Sequence, residues 1–244
     1  MSKHITMDSF TSEWWLCIIV TVIVITSIIY LPNYFNWAKS KYFRWTIASL
    51  MIFNLLIENV YGINMGEWHF EDNLPLHLCG ISGIMGIILM FRFNAPIAQI
   101  YFYWALTGGI HSLLTPEFDL GTNGYFFYAY FINHGSLLLV CFYMIKHHNF
   151  SPDKKSWMKA FWYLQLVALT IGVFNWISGS NYMYLTSPPI VDNPLIVGKW
   201  PWYILVFEAL AFIHFWGFYK LYFVVSQNRS KLIQQDLKHS IQEK

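Results

Sequence analysis

The chain has 244 residues, of which 56% are hydrophobic, 20% aromatic and only 11% charged, and its formal net charge is +2. A soluble domain carries about a quarter charged residues, and a chain of this length cannot bury so much apolar surface in a single core. The composition excludes an ordinary soluble protein and indicates that lipid surrounds part of the chain.

Seven stretches have the roughly 20 mostly apolar residues that a membrane-crossing helix needs. In chain order they are Trp14–Leu31, Phe43–Ile63, Leu76–Phe91, Pro96–Leu114, Tyr125–Ile145, Trp157–Ser178 and Trp202–Val225. We interpret the first as a retained helix, because Asp8 and Glu13 precede it and no small-x-small cleavage site follows. The sequence therefore predicts an all-α, polytopic membrane bundle of about seven helices.

Lysine and arginine residues collect in alternate loops. With seven spans, the odd-numbered loops and the tail share one side, which holds every Lys and Arg except Lys3 and Lys199. The fourth loop carries only Glu117 and Asp119 as charged residues. Because basic loops stay in the cytoplasm, we expect the amino terminus outside and the carboxyl terminus inside.

The end of the chain differs from the rest in composition. We divide it into a transmembrane domain at residues 1–225 and a polar cytoplasmic tail at residues 226–244. Apolar residues at helical spacing predict either a short amphipathic helix on the inner surface or a solvated end; they are Leu232, Ile233, Leu237 and Ile241.

We place the chain in the cell membrane, as a multi-pass protein of the bacterial plasma membrane. Topology already explains the inner lysines, so we expect no nucleic-acid partner, and the oligomeric state is left open.

Polar and ionisable side chains concentrate in the outer halves of the predicted spans, where each is costly unless it has a role. From the second helix to the seventh they are Asn54, Glu58, His77, Cys79, Tyr103, Thr107, His111, Thr115, Asn133, His134, Asn175, Glu208 and His214. This one-sided distribution favours a polar cavity that opens outward between the helices. The alternative is a structural hydrogen-bond network that ties the helices together.

Cys79 is the strongest candidate for a reactive group. A thiol becomes a nucleophile when a base or a positive environment favours the thiolate, and the start of a helix supplies a favourable dipole. His77, two positions away, projects to the other side of the helix. His134 on a neighbouring helix is the better base, with Asn133 or Glu58 to orient it. A Cys–His pair suits acyl transfer through a thioester; the alternative is that these side chains only pack.

A zinc site is a second interpretation of the same residues. His77, His111 and His134, together with Glu58, are groups that hold Zn²⁺ and let it activate water, as in membrane hydrolases of the alkaline ceramidase type. However, the last helix offers only His214, and no helix supplies two histidines on one face. We therefore expect no metal and no other cofactor.

Three short motifs resemble those of a known family. They are Leu74-Pro75-Leu76-His77-Leu78-Cys79 with Ser82, then Gly108-Gly109-Ile110-His111 followed by Leu114-Thr115-Pro116, and finally Asn133-His134-Gly135. Their order and placement resemble the YwaF family of bacterial integral membrane proteins and its animal transmembrane acyltransferase relatives, and more distantly the androgen-induced membrane hydrolases. The resemblance implies Cys79 as nucleophile and His134 as base in moving fatty acyl chains between phospholipids. The hydrolases use threonine instead, so this chain is nearer the acyltransferases.

We therefore predict a membrane-embedded lipid acyltransferase or acyl-ester hydrolase that acts on a phospholipid or lysolipid. Cys79 and His134 are the predicted catalytic pair. The predicted substrate-binding or oxyanion-stabilising residues are His77, His111, Asn133, Glu58, Thr115 and Asn175. The alternative from another class is a small-ligand transporter or sensor that uses the same cavity, although no inverted repeat is evident.

Overall fold

The computed structural model of the protein describes residues 5–118, 120–189 and 198–242, without the side chains of residues 227–242. Within these ranges lie seven α-helices: α1 (Ser12–Tyr34), α2 (Lys41–Met65), α3 (Leu78–Phe91), α4 (Ala95–Leu114), α5 (Tyr125–His147), α6 (Ser156–Ser178) and α7 (Trp202–Gln242). The chain also forms a 3-10 helix at Tyr182–Tyr184 and an antiparallel pair of strands, β1 (Ile5–Thr6) and β2 (Glu117–Phe118). The predicted helical fold is confirmed.

Local sequence signals set five of the helix ends. The side chains of Thr11, Ser40 and Asn94 accept hydrogen bonds from the first backbone N–H groups of α1, α2 and α4, which satisfies donors that the helix itself cannot. Gly66 and Gly179 follow α2 and α6 in the left-handed conformation, with φ of 72° and 75°. Glycine adopts this conformation without the strain that a side chain would bring.

Five helices are long and apolar enough to cross a membrane: α1, α2, α5, α6 and the Trp202–Ser226 part of α7. Helix α3 has only 14 residues, so it is about 21 Å long at roughly 1.5 Å per residue. That length falls short of the bilayer's hydrocarbon thickness of about 30 Å.

Helix α4 is the centre of the bundle, since it packs against α3, α5, α6 and α7. It carries buried aromatic side chains whose polar ends are all used. The hydroxyl of Tyr101 donates to the Leu137 carbonyl at 3.0 Å, and the indole N–H of Trp104 donates to the Ala160 carbonyl at 3.1 Å. Helix α4 is thus enclosed by other helices, and its tyrosine and tryptophan side chains find protein partners.

The amino-terminal segment is fastened across the loop after α4. Strand β1 pairs with β2, so that Thr6 lies opposite Glu117. The indole N–H of Trp14 donates to the carbonyl of Leu113 at 2.9 Å, and the hydroxyl of Ser9 donates to the carbonyl of Leu114 at 2.5 Å. These bonds hold the β2 loop in a fixed position above the helices.

The predicted tail begins inside a helix, because α7 continues through residue 226 to Gln242. The side chains of Leu232, Ile233, Leu237 and Ile241 lie outside the described residues, as do Lys3 and Asp119. The predicted amphipathic character of the tail therefore stays a prediction.

Candidate functional site

A cavity of about 270 Å³ lies between α2, α3 and α5, with the loops before α3 and after α4 at its edge. One part of its wall is apolar and is formed by Met51, Leu55, Ile84, Ile87 and Leu137. The other part carries carboxyl, imidazole, thiol, hydroxyl and amide side chains. They are Glu58, Asp72, His77, Cys79, Ser112, Glu117, Tyr130, Asn133, His134 and Tyr184.

Cys79 is the second residue of α3 and is partly buried in the cavity wall. Its sulfur lies 3.6 Å from the hydroxyl oxygen of Ser112 on α4. A Cβ added at Gly108, one turn before Ser112, would lie only 2.8 Å from this sulfur. The missing side chain at Gly108 therefore makes the space in which the thiol sits.

The chain before Cys79 is held equally closely against the first turn of α3. A Cβ added at Gly80 would lie 2.8 Å from the backbone of Pro75. The loop thus folds back onto the start of the helix, and His77 becomes the N-cap residue. The first N–H groups of a helix and its dipole favour a negative charge nearby, which is the environment that stabilises a thiolate.

The imidazole of His134 is fixed in one tautomer by its own helix. Its Nδ1 lies 2.9 Å from the carbonyl oxygen of Tyr130. A carbonyl only accepts hydrogen bonds, so Nδ1 carries the proton, and Nε2 of the neutral ring keeps its lone pair. The ring also packs on Tyr130, with 4.2 Å between ring centroids. His134 therefore presents the form of histidine that can accept a proton at Nε2.

His77 is held in the opposite tautomer. Its Nδ1 accepts a hydrogen bond from the backbone N–H of Met183 at 3.2 Å, so the neutral ring carries its proton on Nε2. The rings of Tyr182 and Tyr184 each lie 5.2 Å from the imidazole centroid. The two cavity histidines are thus complementary, because His134 has an acceptor at Nε2 where His77 has a donor.

Asn133 and Glu58 belong to a chain of hydrogen bonds between α2 and α5. The amide of Asn133 donates to the Glu58 carboxyl group at 2.7 Å and accepts from the amide of Asn54 at 2.6 Å. The hydroxyl of Tyr125 donates to the side-chain oxygen of Asn54 at 2.5 Å. The Tyr130 carbonyl contacts Nδ1 of His134, and an orienting role of Asn133 or Glu58 stays a prediction.

Three predicted site residues do not line this cavity. His111 lies against α7, with its Nε2 3.1 Å from Nε2 of His214. The hydroxyl of Thr115 donates to the carbonyl of His111 at 3.2 Å. Asn175 is buried and bonds the backbone of Tyr182 in both directions, at 2.8 and 3.1 Å. Cys79, His134, His77, Asn133 and Glu58, in contrast, all line it.

Sequence reasoning missed Ser112 because it followed the wrong face of α4. The prediction used the polar residues that recur every four positions on one face of α4, namely Tyr103, Thr107, His111 and Thr115. Gly108 and Ser112 lie on another face of the helix, and that face meets Cys79. A glycine four positions before a serine was the available signal. Tyr130 strengthens this corner, since its hydroxyl donates to the Ser112 carbonyl at 2.7 Å.

The described residues contain no group of three or more His, Cys, Asp or Glu side chains arranged to hold a metal ion. The zinc interpretation needed His77, His111 and His134 around one point. Because His111 faces α7 and pairs with His214, the three histidines do not converge.

Comparison with known protein families gives a match. The model of the TMEM164 family matches residues 7–220. This is a transmembrane family, in agreement with the resemblance to animal transmembrane relatives, whereas the YwaF name is not confirmed. No curated protein and no solved structure matches the chain.

Proposed function

We propose that this chain, which belongs to the TMEM164 family, is a membrane-embedded acyltransferase that moves acyl groups between phospholipids and lysolipids through Cys79. The supporting observation is a cavity between membrane helices that contains both a cysteine at the start of a helix and a histidine with a proton-accepting Nε2. This combination is the minimum that thioester chemistry requires.

The reaction starts with proton transfer from the Cys79 thiol to Nε2 of His134. The thiolate sulfur then attacks the carbonyl carbon of a lipid ester, and the carbon–sulfur bond forms. As the ester carbon–oxygen bond breaks, the leaving lysolipid oxygen takes the proton from His134. A second lysolipid hydroxyl, or water, then gives its proton to His134 and attacks the thioester carbonyl carbon. The carbon–sulfur bond breaks, and the leaving sulfur takes the proton from His134, which restores the thiol.

The negative charge on the carbonyl oxygen needs donors in the same cavity. His77 supports this role through its tautomer, since the Nε2–H is a donor. The second donor is the hydroxyl group of Ser112, which lies beside the sulfur. Preorganised donors of this kind contribute the largest share of transition-state stabilisation in many acyl-transfer enzymes. His111 and Thr115 have no part in the proposal, because neither lines the cavity.

The proposed membrane placement follows from the basic residues and from the length of α3. Alternation of Lys and Arg supports seven spans, an outer amino terminus and a cytoplasmic carboxyl terminus, and we assign the chain to the bacterial plasma membrane. If the start of α3 lies at the outer boundary of the hydrocarbon layer, the helix, at about 21 Å, ends inside the layer, and Cys79 lies at that outer boundary. Ester carbonyls of phospholipids lie near that level, and the acyl chain has the apolar wall beyond Cys79 to occupy.

The test uses purified full-length protein in liposomes that contain a phospholipid with a labelled acyl chain and an unlabelled lysolipid. Mass spectrometry follows the label into the acceptor and onto the protein. We expect Cys79→Ala to abolish both signals and His134→Gln to slow transfer by about 10²-fold or more. Cys17→Ala is the matched control, since Cys17 lies on α1 and does not line the cavity.

Full transfer by Cys79→Ala would remove the proposal. An unlabelled protein that instead shows saturable uptake of a small ligand would favour the transporter or sensor, which uses the same cavity without covalent chemistry.

A further inference from the structure

A second cavity, of about 500 Å³, lies between α1 and α5 and shares no residue with the first. Its walls are Val22 and Ile25 from α1 and Leu138 and Phe142 from α5. The side chains of Val22 and Phe142 are 55% and 44% exposed. In a membrane these walls face acyl chains, so the groove is open to the bilayer along its length.

Helices α1 and α5 are in close contact on either side of this groove. A Cβ added at Gly135 would lie 2.9 Å from Cγ2 of Thr21, which marks the first close approach. At the second, Nε2 of His147 donates to the carbonyl of Ile29 at 3.1 Å. The eight residues from Thr21 to Ile29 span about 12 Å of helix. The groove is therefore a fixed feature of the packing and has a defined length.

One end of the groove is polar, and its polar groups make no hydrogen bond or ion pair with the residues that the structure describes. The ammonium group of Lys146 lies 5.2 Å from the ring centroid of Tyr30, but no carboxylate pairs with it within the described part of the chain. Asn149, in the left-handed conformation with φ of 51°, places its carboxamide at the same end. That carboxamide makes no hydrogen bond to the described residues. Lysine and amide N–H groups left unpaired at one point are donors for an anion.

The electrostatic surroundings at this end are positive. Burial lowers the pKa of His148, which follows α5, and the nearby positive charge of Arg44 lowers it further. No acidic side chain lines the groove. A zwitterionic headgroup would therefore find no carboxylate partner for its cation in the groove.

We propose that this groove binds one anionic phospholipid, with its phosphate against Lys146 and Asn149 and one acyl chain along Ile25 and Phe142. The groove supplies an apolar channel that leads directly to two donors with no hydrogen-bonding or ionic partner among the described residues, which is the shape and charge pattern of a single lipid. The site stabilises the α1–α5 pair from its lipid side and does not depend on the proposed reaction.

The experiment uses full-length Cys79→Ala protein in detergent, so that no lipid is consumed, and adds phosphatidylglycerol or phosphatidylcholine with identical chains. Native mass spectrometry counts retained lipids, and thermal unfolding reports stabilisation. We expect one phosphatidylglycerol to be retained in preference to phosphatidylcholine. Lys146→Gln should weaken its retention about fivefold, and Lys146→Arg should restore most of it.

Two further variants separate the groove from the general charge of the membrane surface. Lys154→Gln removes an exposed lysine that does not line the groove and should leave retention unchanged. Thr26→Trp fills the groove from an exposed position, keeps every charge, and should abolish retention. Equal retention of both lipids, or equal effects of Lys146→Gln and Lys154→Gln, would overturn the proposal. Either result would leave acyl transfer by Cys79 unaffected, so the two proposals fail independently.

Discussion

Replacing Gly108 by alanine tests whether the position of the Cys79 sulfur matters for function. Gly108 lies on α4, in the centre of the bundle, and the thiol of Cys79 occupies the space beside it. The substitution adds one methyl group and changes no charge, no hydrogen-bonding side chain and no residue of the proposed pair. Its effect on activity therefore reports the geometry of the thiol alone.

The expected size of the effect follows from one distance. The added Cβ would lie 2.8 Å from the sulfur of Cys79, whereas non-bonded atoms rest at about 3.5–4.0 Å. Since α4 is packed on several sides, the sulfur must retreat by about 0.7–1.2 Å. A misplacement of about 1 Å at a reacting group lowers rates by about 10²-fold. We expect the acylation of Cys79 to slow by this factor.

The assay measures single-turnover labelling of Cys79 by a phospholipid with a tagged acyl chain, together with the melting temperature. Gly217→Ala is the control, because a Cβ there meets no atom within 4 Å and the residue lies on α7. In both variants alanine replaces a helical glycine, so both gain the same helix propensity of up to about 1 kcal/mol. The reasoning is refuted if the two variants label at equal rates while both remain folded.

Two other substitutions test the walls of the same cavity. Gly83→Phe places a ring in open space one turn after Cys79, so transfer should shift toward donors with shorter acyl chains. Competition between short-chain and long-chain donors measures this preference. An unchanged preference would place the acyl chain elsewhere. Asn133→Leu removes two hydrogen bonds of 2.6 and 2.7 Å between α2 and α5. Such bonds between membrane helices contribute about 0.6–1.7 kcal/mol each, so the free energy of unfolding in detergent should fall by about 1–3 kcal/mol. An unchanged free energy of unfolding would mean that these hydrogen bonds do not stabilise the fold.

The positions of the helices were predictable because each apolar stretch is much longer than the few residues by which its predicted ends are uncertain. Every predicted end agrees with a helix end to within three residues except the last, where α7 continues to Gln242. Hydropathy reports which residues contact lipid, and it does so well for α1, which packs mainly on α5. The Pro96–Leu114 stretch was predicted as well, although α4 is enclosed by other helices and carries buried tyrosine and tryptophan.

The candidate site was only partly predictable, since sequence spacing does not say which face of a helix meets which neighbour. Cys79 and His134 were chosen for their chemistry, and both line one cavity. His111 was chosen for the same reason, yet its side chain meets His214 on α7. Ser112, its neighbour in the sequence, lies beside the thiol instead. A rotation of about 100° per residue separates these two outcomes, and only the packing of α4 decides between them.

The choice between transfer and hydrolysis in the proposed reaction depends on how much water reaches the thioester. Glu117 and Phe118 form part of the cavity wall and also pair with Thr6 and Ile5 of the amino-terminal strand. That strand is anchored by the indole N–H of Trp14. If the proposed thioester forms, we expect this anchored loop to limit the access of bulk water to it, while lipid hydroxyl groups arrive through the bilayer. We therefore predict that transfer exceeds hydrolysis and that Trp14→Ala, which removes the anchoring N–H, raises the hydrolysed fraction.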